Sequence, residues 1–428
     1  MICKVVNISL ISCIALLVVY GLVTASAQSL TISSYPAVPQ YCLAVEKSKQ
    51  SIHILQRKSP LNVLDSFFCS TGQKLGDKRK EGDRKTPEGI YFLEERLNKG
   101  LDYELYGNLA YTLNYPNPVD CIQGKTGYGI WLHARGIALS PRNTKGCIAL
   151  SKKNLQAVSN YVRLAETPIL IGEDISIINN HPKQKKIAGL LEKKVQQWEL
   201  AWEKKSDSFF SFYAPKKFSQ SSGSCFADFR DNKRTYFQKY KWIDVYIDNI
   251  RILSTPSYWI TYFKQYFRSP KFSSQGVKRL YWQECQDSWK IVGQEWLSKK
   301  NRALENKYLV HSRQKLRRWL VRWKEAWEKA DLKKYESFYL PQARQNNRQG
   351  LADIKSYKKN LWDKEKPEKI LLDQIEIAKH RLGFLVTFRQ IYQGAKGYKD
   401  YGLKRLTVLP DGNDYFIIKE MWKRISKE

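Results

Sequence analysis

The stretch Trp198-Glu-Leu-Ala-Trp202-Glu203 occurs twice in this chain of 428 residues, the second time as Trp323-Lys-Glu-Ala-Trp327-Glu328. The two copies are 125 residues apart, and later matching pairs keep an offset of 125 or 126. These pairs are Asp248-Asn-Ile-Arg-Ile252 with Asp373-Gln-Ile-Glu-Ile377, Phe263-Lys-Gln265 with Phe388-Arg-Gln390, Gly276-Val-Lys-Arg-Leu280 with Gly402-Leu-Lys-Arg-Leu406, and Trp296 with Trp422. One offset held over so long a stretch indicates a duplicated domain.

Each copy begins with a helical pattern and ends with alternating, strand-like runs. The paired tryptophans are spaced i, i+4, which places both on one face of a helix and favours core positions. We expect Asp207 and Asp331, after the first helix, to cap or solvate its end. The strand-like runs of the second copy are Tyr357–Asp363, Ile370–Ile377, Gly383–Tyr392, Gly402–Leu409 and Tyr415–Glu420. Helices followed by a strand series predict an α+β domain with a curved antiparallel sheet.

This order of elements, with the Trp-x-x-Ala-Trp-Glu opening, resembles the NTF2-like cone fold. The resemblance assigns one such module to residues 190–298 and another to 312–428. NTF2-like modules often present a pocket or a dimer surface, so a homodimer through these modules is one expectation. Substrate positioning and partner docking are equally open.

The preceding segment, residues 40–175, is rich in short β-like runs separated by Gly, Pro, Asn and Asp, which predicts a mainly β domain. The runs include Ser51–Leu55, Leu61–Leu64, Gly129–Leu132 and Thr167–Gly172. One helix is predicted over Lys152–Leu164, capped by Ser151. The polar, basic stretch around His181-Pro-Lys-Gln-Lys-Lys186 predicts a linker over residues 176–189.

A histidine and a cysteine inside this β domain suggest chemistry. His133 follows a predicted strand and precedes Cys147 by 14 residues. A neighbouring imidazole can convert a thiol to the nucleophilic thiolate. Gly146 would allow a tight turn with amides free to hold an oxyanion. On these residues alone, two ordinary core side chains are the more frequent interpretation.

Two longer motifs identify the domain as similar to the L,D-transpeptidase (YkuD-like) catalytic family. The first is His133 followed by Thr144-Lys145-Gly146-Cys147-Ile148, and the second is Gly82-Asp83-Arg84-Lys85-Thr86-Pro87-Glu88-Gly89-Ile90-Tyr91. Lys145 and Ala149 depart from the His and Arg that are common there in the family. The overall expectation is a multidomain protein, with a mainly-β L,D-transpeptidase-like catalytic domain followed by two α+β NTF2-like cone domains.

The resemblance implies roles for residues near the cysteine. Cys147 would be the nucleophile and His133 its base, oriented by the backbone carbonyl of Ala134 or Thr144. The amides of Gly146 and Cys147 would hold the oxyanion. Arg135, Arg142 and Lys145 are candidates for binding substrate carboxylates, or else are solvated loop cations. Asp83 and Glu88 are expected to be turn and surface groups, and no cofactor or metal is expected, since the five histidines are scattered.

The implied function is an exported peptidoglycan L,D-transpeptidase that acts on tetrapeptide stems through a Cys thioester, for 3→3 cross-linking or protein attachment to the wall. The alternatives are an L,D-carboxypeptidase that trims tetrapeptides to tripeptides, and a wall-binding protein without activity. The partners would be peptidoglycan stem peptides.

The N-terminus has the pattern of a secretory signal. Lys4 precedes the apolar run Val5–Val23, and Ala25-Ser26-Ala27 predicts cleavage after Ala27 and a periplasmic or cell-envelope location. An uncleaved anchor is the alternative, because the run approaches the roughly 20 residues of a membrane span. Six cysteines follow the signal, and an even number in an exported chain predicts three disulfides. If Cys147 is a working thiol, at least one other cysteine must stay free.

The net charge of +32 is unevenly distributed. Residues 28–187 hold 22 Lys and Arg against 14 Asp and Glu, whereas residues 188–428 hold 50 against 27. In an exported protein the basic excess on the repeated modules favours an anionic wall polymer or membrane surface over nucleic acid as the partner.

Overall fold

The computed structural model describes residues 29–58, 61–179 and 181–425. The expected signal segment, residues 1–27, lies outside this part of the chain. Within the described residues, no helix is long and apolar enough to cross a membrane.

The N-terminal domain is built around an eight-stranded mixed sheet. The domain has ten strands, of which eight form this sheet: β1 (Leu30–Ser34), β2 (Tyr41–Glu46), β3 (Ser51–Gln56), β4 (Asn62–Phe68), β5 (Gly89–Leu97), β6 (Ala110–Leu113), β7 (Trp131–Arg135), β8 (Ile148–Ser151), β9 (Pro168–Gly172) and β10 (Ile175–Asn179). The sheet order is β4-β3-β2-β9-β5-β6-β7-β8, and β1 pairs separately with β10. Three short helices, α1 (Tyr103–Tyr106), α2 (Pro118–Ile122) and α3 (Lys152–Ser159), complete the domain.

Most of the predicted elements of this domain are present, with two differences. The hydroxyl of Ser151 accepts a hydrogen bond from the amide of Asn154 and caps α3, as predicted. The helix ends at Ser159 and does not continue to Leu164. The predicted linker 176–189 is instead strand β10 followed by the start of a long helix, because β10 finds its pairing partner in β1, far away in sequence.

Both C-terminal modules place helices against a curved sheet. The first contains α4 (Pro182–Glu203), a 3-10 helix (Asp207–Phe212), α5 (Pro215–Ser222), α6 (Phe226–Lys239), β11 (Asp244–Ser254), β12 (Trp259–Arg268), β13 (Ser273–Cys285) and β14 (Ser288–Ser298). The second contains α7 (Arg302–Glu328), α8 (Leu332–Glu336), β15 (Tyr339–Gln345), β16 (Arg348–Gln349), α9 (Leu351–Lys364), β17 (Pro367–His380), β18 (Gly383–Gly394), β19 (Lys399–Asp411) and β20 (Asp414–Arg424). Strands β11 to β14 and β17 to β20 form matching antiparallel series.

The duplication is visible in the detail of the two sheets. The first strand of each series has a bulge at the same point, after Asp248 in β11 and after Asp373 in β17. One strand-like run was wrongly predicted, since Tyr357–Asp363 is part of helix α9. Ile354, Lys358 and Trp362 are buried at i, i+4 spacing, which is a helical stripe.

The four repeated tryptophans are buried, as their spacing predicts. Trp198 and Trp202 pack in the core of the first module, and Trp323 and Trp327 pack in that of the second. The indole of Trp198 donates to the Tyr213 hydroxyl at 3.0 Å, and that of Trp323 donates to the Tyr339 hydroxyl at 3.4 Å.

The first module and the N-terminal domain share a hydrophobic core. The side chain of Arg279, in β13, is buried between the two domains. The guanidinium of Arg279 has no exposed area, and it lies 4.0 Å from the ring centroid of Phe92. It donates to Glu94 of the N-terminal domain at 3.0 Å, to the carbonyl of Ala165 at 2.9 Å and to Glu295 of its own module at 2.9 Å. The two domains are therefore joined by a buried ionic contact as well as by apolar packing.

We predict that Arg279→Met destabilises the protein by about 3–5 kcal/mol, because the carboxylates of Glu94 and Glu295 lose their buried counter-charge and the Ala165 carbonyl loses this donor. Denaturant unfolding followed by tryptophan fluorescence measures this loss. Arg230→Met, which removes an exposed arginine of the same module, should leave the unfolding midpoint unchanged. Equal midpoints for both variants would contradict the role assigned to Arg279.

Candidate active site

Strands β7 and β8 bring the histidine and the cysteine together. They pair in parallel, with Leu132 opposite Ile148 and His133 opposite Ala149. Cys147 immediately precedes β8, so in the same register it falls opposite Trp131. Because side chains alternate between the two faces of a sheet, Cys147 and His133 lie on the same face of neighbouring strands.

The imidazole of His133 is buried and has a defined orientation. Its Nδ1 atom lies 2.6 Å from the carbonyl oxygen of Ala134, which can only accept, so Nδ1 carries the proton. In the neutral ring, Nε2 then holds the free lone pair. Burial lowers the pKa of His133, the charge of Arg135 lowers it further, and the Ala134 carbonyl opposes both. The imidazole is therefore mostly neutral at pH 7.

The thiol of Cys147 is half-buried. Its Sγ atom lies 3.5 Å from the carbonyl oxygen of Gly129. Burial raises the pKa of the thiol, while the backbone amide of Trp131 and the charge of Lys78 act in the opposite direction. A thiol whose pKa is raised becomes an effective nucleophile only when a base takes its proton.

The tight turn before Cys147 is organised by Thr144. Its hydroxyl donates to the carbonyl of Cys147 at 2.7 Å and accepts from the amide of Gly146 at 3.1 Å. Gly146 has φ of 137°, and a Cβ atom there would lie 2.9 Å from the carbonyl oxygen of Lys85. This position therefore requires glycine for both conformation and space.

The two sequence motifs of the domain meet at this turn. The hydroxyl of Thr86 donates to the carbonyl of Gly146 at 2.9 Å and accepts from the amide of Gly72 at 2.8 Å. The segment that contains Asp83 is itself a closed turn, because the carboxylate accepts from Lys78 and from three backbone amides. Burial opposes ionisation of Asp83, but these hydrogen bonds outweigh it and lower its pKa to about 2.

Of the backbone groups predicted to assist Cys147 and His133, only some have the predicted orientation. The Ala134 carbonyl faces His133, whereas the Thr144 carbonyl accepts from the amide of Gln73 at 3.0 Å and is directed elsewhere. The amide of Gly146 already donates to Thr144, so it is not free in the way the sequence suggested.

The three candidate cations also differ. Arg135 donates to the carbonyl of Asn143 at 2.9 Å, which closes the loop between the strands. Arg142 is directed to the carbonyl of Lys47 at 3.1 Å and to Glu173 at 3.4 Å, so it secures the loop from the outside. Lys145 is exposed, and in the described ranges it forms no ion pair.

Sequence reasoning missed two residues beside the site. The ring of Tyr106 lies 5.1 Å from the imidazole of His133 and 5.0 Å from the ring of Trp131, measured between centroids. The buried Lys78 carries a charge that acts on Cys147. Neither residue lies in a motif with the His–Cys pair, so no local pattern marks it. Glu88, expected at the surface, is partly buried and accepts from Lys47 at 2.7 Å.

The three expected disulfides do not form among the described residues, where all six cysteines are free. Cys42 and Cys69 pack in different hydrophobic clusters, which keeps them from pairing with each other. Burial raises the pKa of each to about 12, so both are chemically inert thiols. The described ranges also hold no cluster of three or more His, Cys, Asp or Glu side chains suited to a metal.

Comparison with known proteins agrees with this geometry. Residues 40–171 match the L,D-transpeptidase catalytic domain, YkuD. This domain belongs to the L,D-transpeptidase family. Residues 190–295 and 315–421 each match the Cds6 C-terminal NTF2-like domain, so the C-terminal modules are two NTF2-like domains.

Several relatives share parts of the chain. YafK of Escherichia coli strain K12, whose name assigns it provisionally to the L,D-transpeptidases, is 24% identical over 156 residues. That match covers 36% of this chain and 58% of YafK. The structure of Bd1075 from Bdellovibrio bacteriovorus is 29% identical with a TM-score of 0.49, covering 64% of this chain and 98% of that one. The structure of the helical cell shape determining protein Pgp2 from Campylobacter jejuni is 27% identical, also with a TM-score of 0.49. That match covers 62% of this chain and 94% of the Pgp2 chain.

We predict that Gly146→Ala lowers stability by roughly 1–3 kcal/mol, because alanine is strained at this φ and its Cβ would meet the Lys85 carbonyl. Thermal unfolding of the full chain measures the loss. Gly189→Ala is the matched control, since Gly189 lies in helix α4 with open space around it. That variant should gain about 0.5–1 kcal/mol, and a loss at both positions would contradict the argument.

Proposed function

We propose that this protein is an exported cysteine L,D-transpeptidase that acts on the tetrapeptide stems of peptidoglycan. The observation that carries the proposal is the pair formed by Cys147 and His133, which share one face of β7 and β8 in a domain of this family. The Nδ1–H bond to Ala134 leaves Nε2 of His133 as the base.

The first half-reaction forms a thioester. Nε2 of His133 takes the proton of the Cys147 thiol as Sγ attacks the carbonyl carbon at the L-centre of meso-diaminopimelate. The C–S bond forms, the C–N bond to the terminal D-Ala breaks, and His133 returns the proton to the leaving amine. The neutral imidazole and protonated thiol of the resting site supply one proton for one leaving group.

The negative charge that develops on the substrate oxygen needs hydrogen-bond donors. Because Gly146 donates to Thr144, we assign this role to the amide of Cys147. The Thr144 hydroxyl and the Thr86 hydroxyl act as positioning groups, since they hold the carbonyls on either side of that amide. The exposed Lys145 is the candidate for binding a stem-peptide carboxylate.

The second half-reaction decides the product. The amine of a second stem attacking the thioester gives a 3→3 cross-link, or attachment when the amine belongs to a protein. Water attacking the same thioester gives a tripeptide, which is the L,D-carboxypeptidase outcome. Both products require Cys147, whereas a wall-binding protein without activity does not.

We predict that the protein converts tetrapeptide muropeptides to a tripeptide-linked dimer. Mass spectrometry of the reaction products measures this conversion. Cys147→Ala should reduce formation of the dimer by about 10³-fold or more, because the nucleophile is lost. Cys225→Ala, which removes an exposed thiol of the first module, should keep full activity.

Each other outcome has a distinct meaning. Tripeptide as the sole product would replace the transpeptidase by the carboxypeptidase. No product at all would contradict both enzymes and leave a wall-binding protein, whereas products that do not depend on Cys147 would contradict the cysteine mechanism of both.

The basic NTF2-like modules are proposed to hold the enzyme at an anionic surface of the periplasm or cell envelope. Their 50 Lys and Arg residues against 27 Asp and Glu in residues 188–428 support this role. Export by the N-terminal segment and a homodimer through the modules stay predictions.

Sedimentation with isolated cell walls tests the surface role. We expect the bound fraction to fall steeply as salt rises from about 50 mM to about 500 mM, since salt screens exposed charges. A neutral polysaccharide should bind little of the protein at any salt concentration. Binding to walls that is insensitive to salt would contradict an electrostatic attachment.

A further inference from the structure

A small cleft lies between the L,D-transpeptidase domain and the sheet of the first NTF2-like module. Its volume is about 130 Å³, below the roughly 300–1,000 Å³ of sites for drug-sized ligands. Neither Cys147 nor His133 lines it, and no step of the mechanism above uses it. Its lining combines tyrosines with charged side chains from both domains, including Tyr161, Arg163, Glu166, Arg251, Tyr262 and Lys264.

Strand pairing places the charged groups of the module side by side. Arg251 of β11 lies directly opposite Tyr262 of β12, and Lys264 follows Tyr262 by two residues, so all three side chains share one face of the sheet. This face is turned toward the L,D-transpeptidase domain, because the rings of Tyr262 and Phe92 have their centroids 4.9 Å apart. Residues 161–167, between α3 and β9, supply the opposite wall of the cleft.

The cleft carries an excess of positive charge. The carboxylate of Glu166 lies 3.0 Å from the ammonium of Lys264, so these two charges cancel. Arg251 forms no ion pair within the described residues, and its guanidinium donates only to Asn249, at 3.5 Å. The guanidinium of Arg163 is exposed and likewise has no partner in that part of the chain. Two guanidinium groups therefore remain without a counter-charge.

The charged groups behind the cleft do not supply that counter-charge. Arg279 on the neighbouring strand is already neutralised by two glutamates. Arg57 donates to two backbone carbonyls and a glutamine oxygen. Burial lowers the pKa of Arg251, and the charge of Arg57 lowers it further. Asp248 opposes this shift, but its carboxylate lies 2.8 Å from the ammonium of Lys307.

A buried hydroxyl at the same place also lacks a partner. Tyr262 is only 5% exposed, and its hydroxyl forms no hydrogen bond with any group in the described ranges. Buried tyrosines usually find a partner for this group. Because Tyr262 lines the cleft next to Arg251, its hydroxyl and the two guanidinium groups form a set of donors that lacks an acceptor.

The second module shows that the fold does not require these groups. Glu376 stands at the position of Arg251, and Thr387 stands at that of Tyr262. The copy that packs against the L,D-transpeptidase domain thus carries a cation and a hydrogen-bond donor where the other copy carries a carboxylate and a smaller side chain. The positive charge therefore belongs to this cleft and not to the module fold.

We propose that the cleft binds a phosphate group, either as the free ion or as the monoester head group of a larger molecule. The two unpaired guanidinium groups match the charge of a dianion, and their planar forks match the spacing of phosphate oxygens. The Tyr262 hydroxyl donates to a further oxygen. A single carboxylate would leave one guanidinium unpaired. Because Arg163 and Arg251 belong to different domains, the bound anion bridges the two.

Isothermal titration of the full chain in about 0.15 M NaCl tests the ligand class, since this salt screens weak surface binding. Inorganic phosphate and glycerol 3-phosphate are the probes, and acetate is the monoanion for comparison. At least one phosphate probe should saturate a single site, with acetate at least about tenfold weaker. Binding of inorganic phosphate alone identifies the free ion as the ligand, whereas binding of glycerol 3-phosphate identifies a monoester. Acetate that binds as tightly as phosphate, or no saturable binding of either probe, would overturn the proposal.

Matched variants locate the site. Arg251→Met should weaken phosphate binding at least about tenfold, through the lost charge-assisted hydrogen bonds. Tyr262→Phe keeps the ring against Phe92 and should weaken it about threefold or more, through the lost hydroxyl. Arg230→Met removes an exposed arginine of the same module and should leave the affinity unchanged.

Unfolding midpoints separate loss of the site from loss of the fold. Phosphate should raise the midpoint of the wild type but not that of Arg251→Met, because only a bound ligand stabilises the folded state. If Arg251→Met does not fold, Tyr262→Phe decides the question by its affinity. Wild-type affinity in Tyr262→Phe and in a folded Arg251→Met, or an equal loss in Arg230→Met, would overturn the proposal, whatever products the muropeptide assay gives.

Discussion

The guanidinium of Arg279 lies fully buried at the boundary between the L,D-transpeptidase domain and the first NTF2-like module. A buried cation persists only where carboxylates and carbonyls surround it, and here Glu94 and the Ala165 carbonyl come from one domain while Glu295 comes from the other. Glu295 in turn accepts from Asn114, next to β6 of the catalytic sheet. Because β6 pairs with β7, the strand of His133, the module is connected to the site through the sheet.

The candidate site depends on a second constraint, which is the turn around Gly146. The Thr86 hydroxyl holds the turn from one side and the Thr144 hydroxyl holds it from within, while the Lys85 carbonyl leaves no space for a Cβ atom at Gly146. These contacts position the thiol and its amide. Burial lowers the pKa of the His133 imidazole and raises that of the Cys147 thiol, so both shifts favour the neutral forms of the two groups.

The duplicated modules show how one fold diverges once its copies have different neighbours. In the second module Lys324 pairs with Glu328 on α7, but the equivalent residues of the first module are Glu199 and Glu203. Burial raises the pKa of Glu199 to about 8, with nearby Lys315 of the second module opposing the shift. The positive charge that acts on Glu199 thus comes from the other module, whereas Glu328 has Lys324 on its own helix.

Periodicity, a constant offset and two local motifs are enough to predict the three-domain order, the repeated tryptophan cores and the His133–Cys147 motif. The folded chain was needed to show that the Ala134 carbonyl and not that of Thr144 faces the imidazole, that Gly146 uses its amide within the turn, and that Arg142 is directed to Glu173. In the folded chain, Tyr357–Asp363 is part of helix α9 and Lys358 lines a cavity. The physical reason is the same in each case: a hydrogen bond, an ion pair or a buried face has its partner tens of residues away, and no local pattern contains that partner.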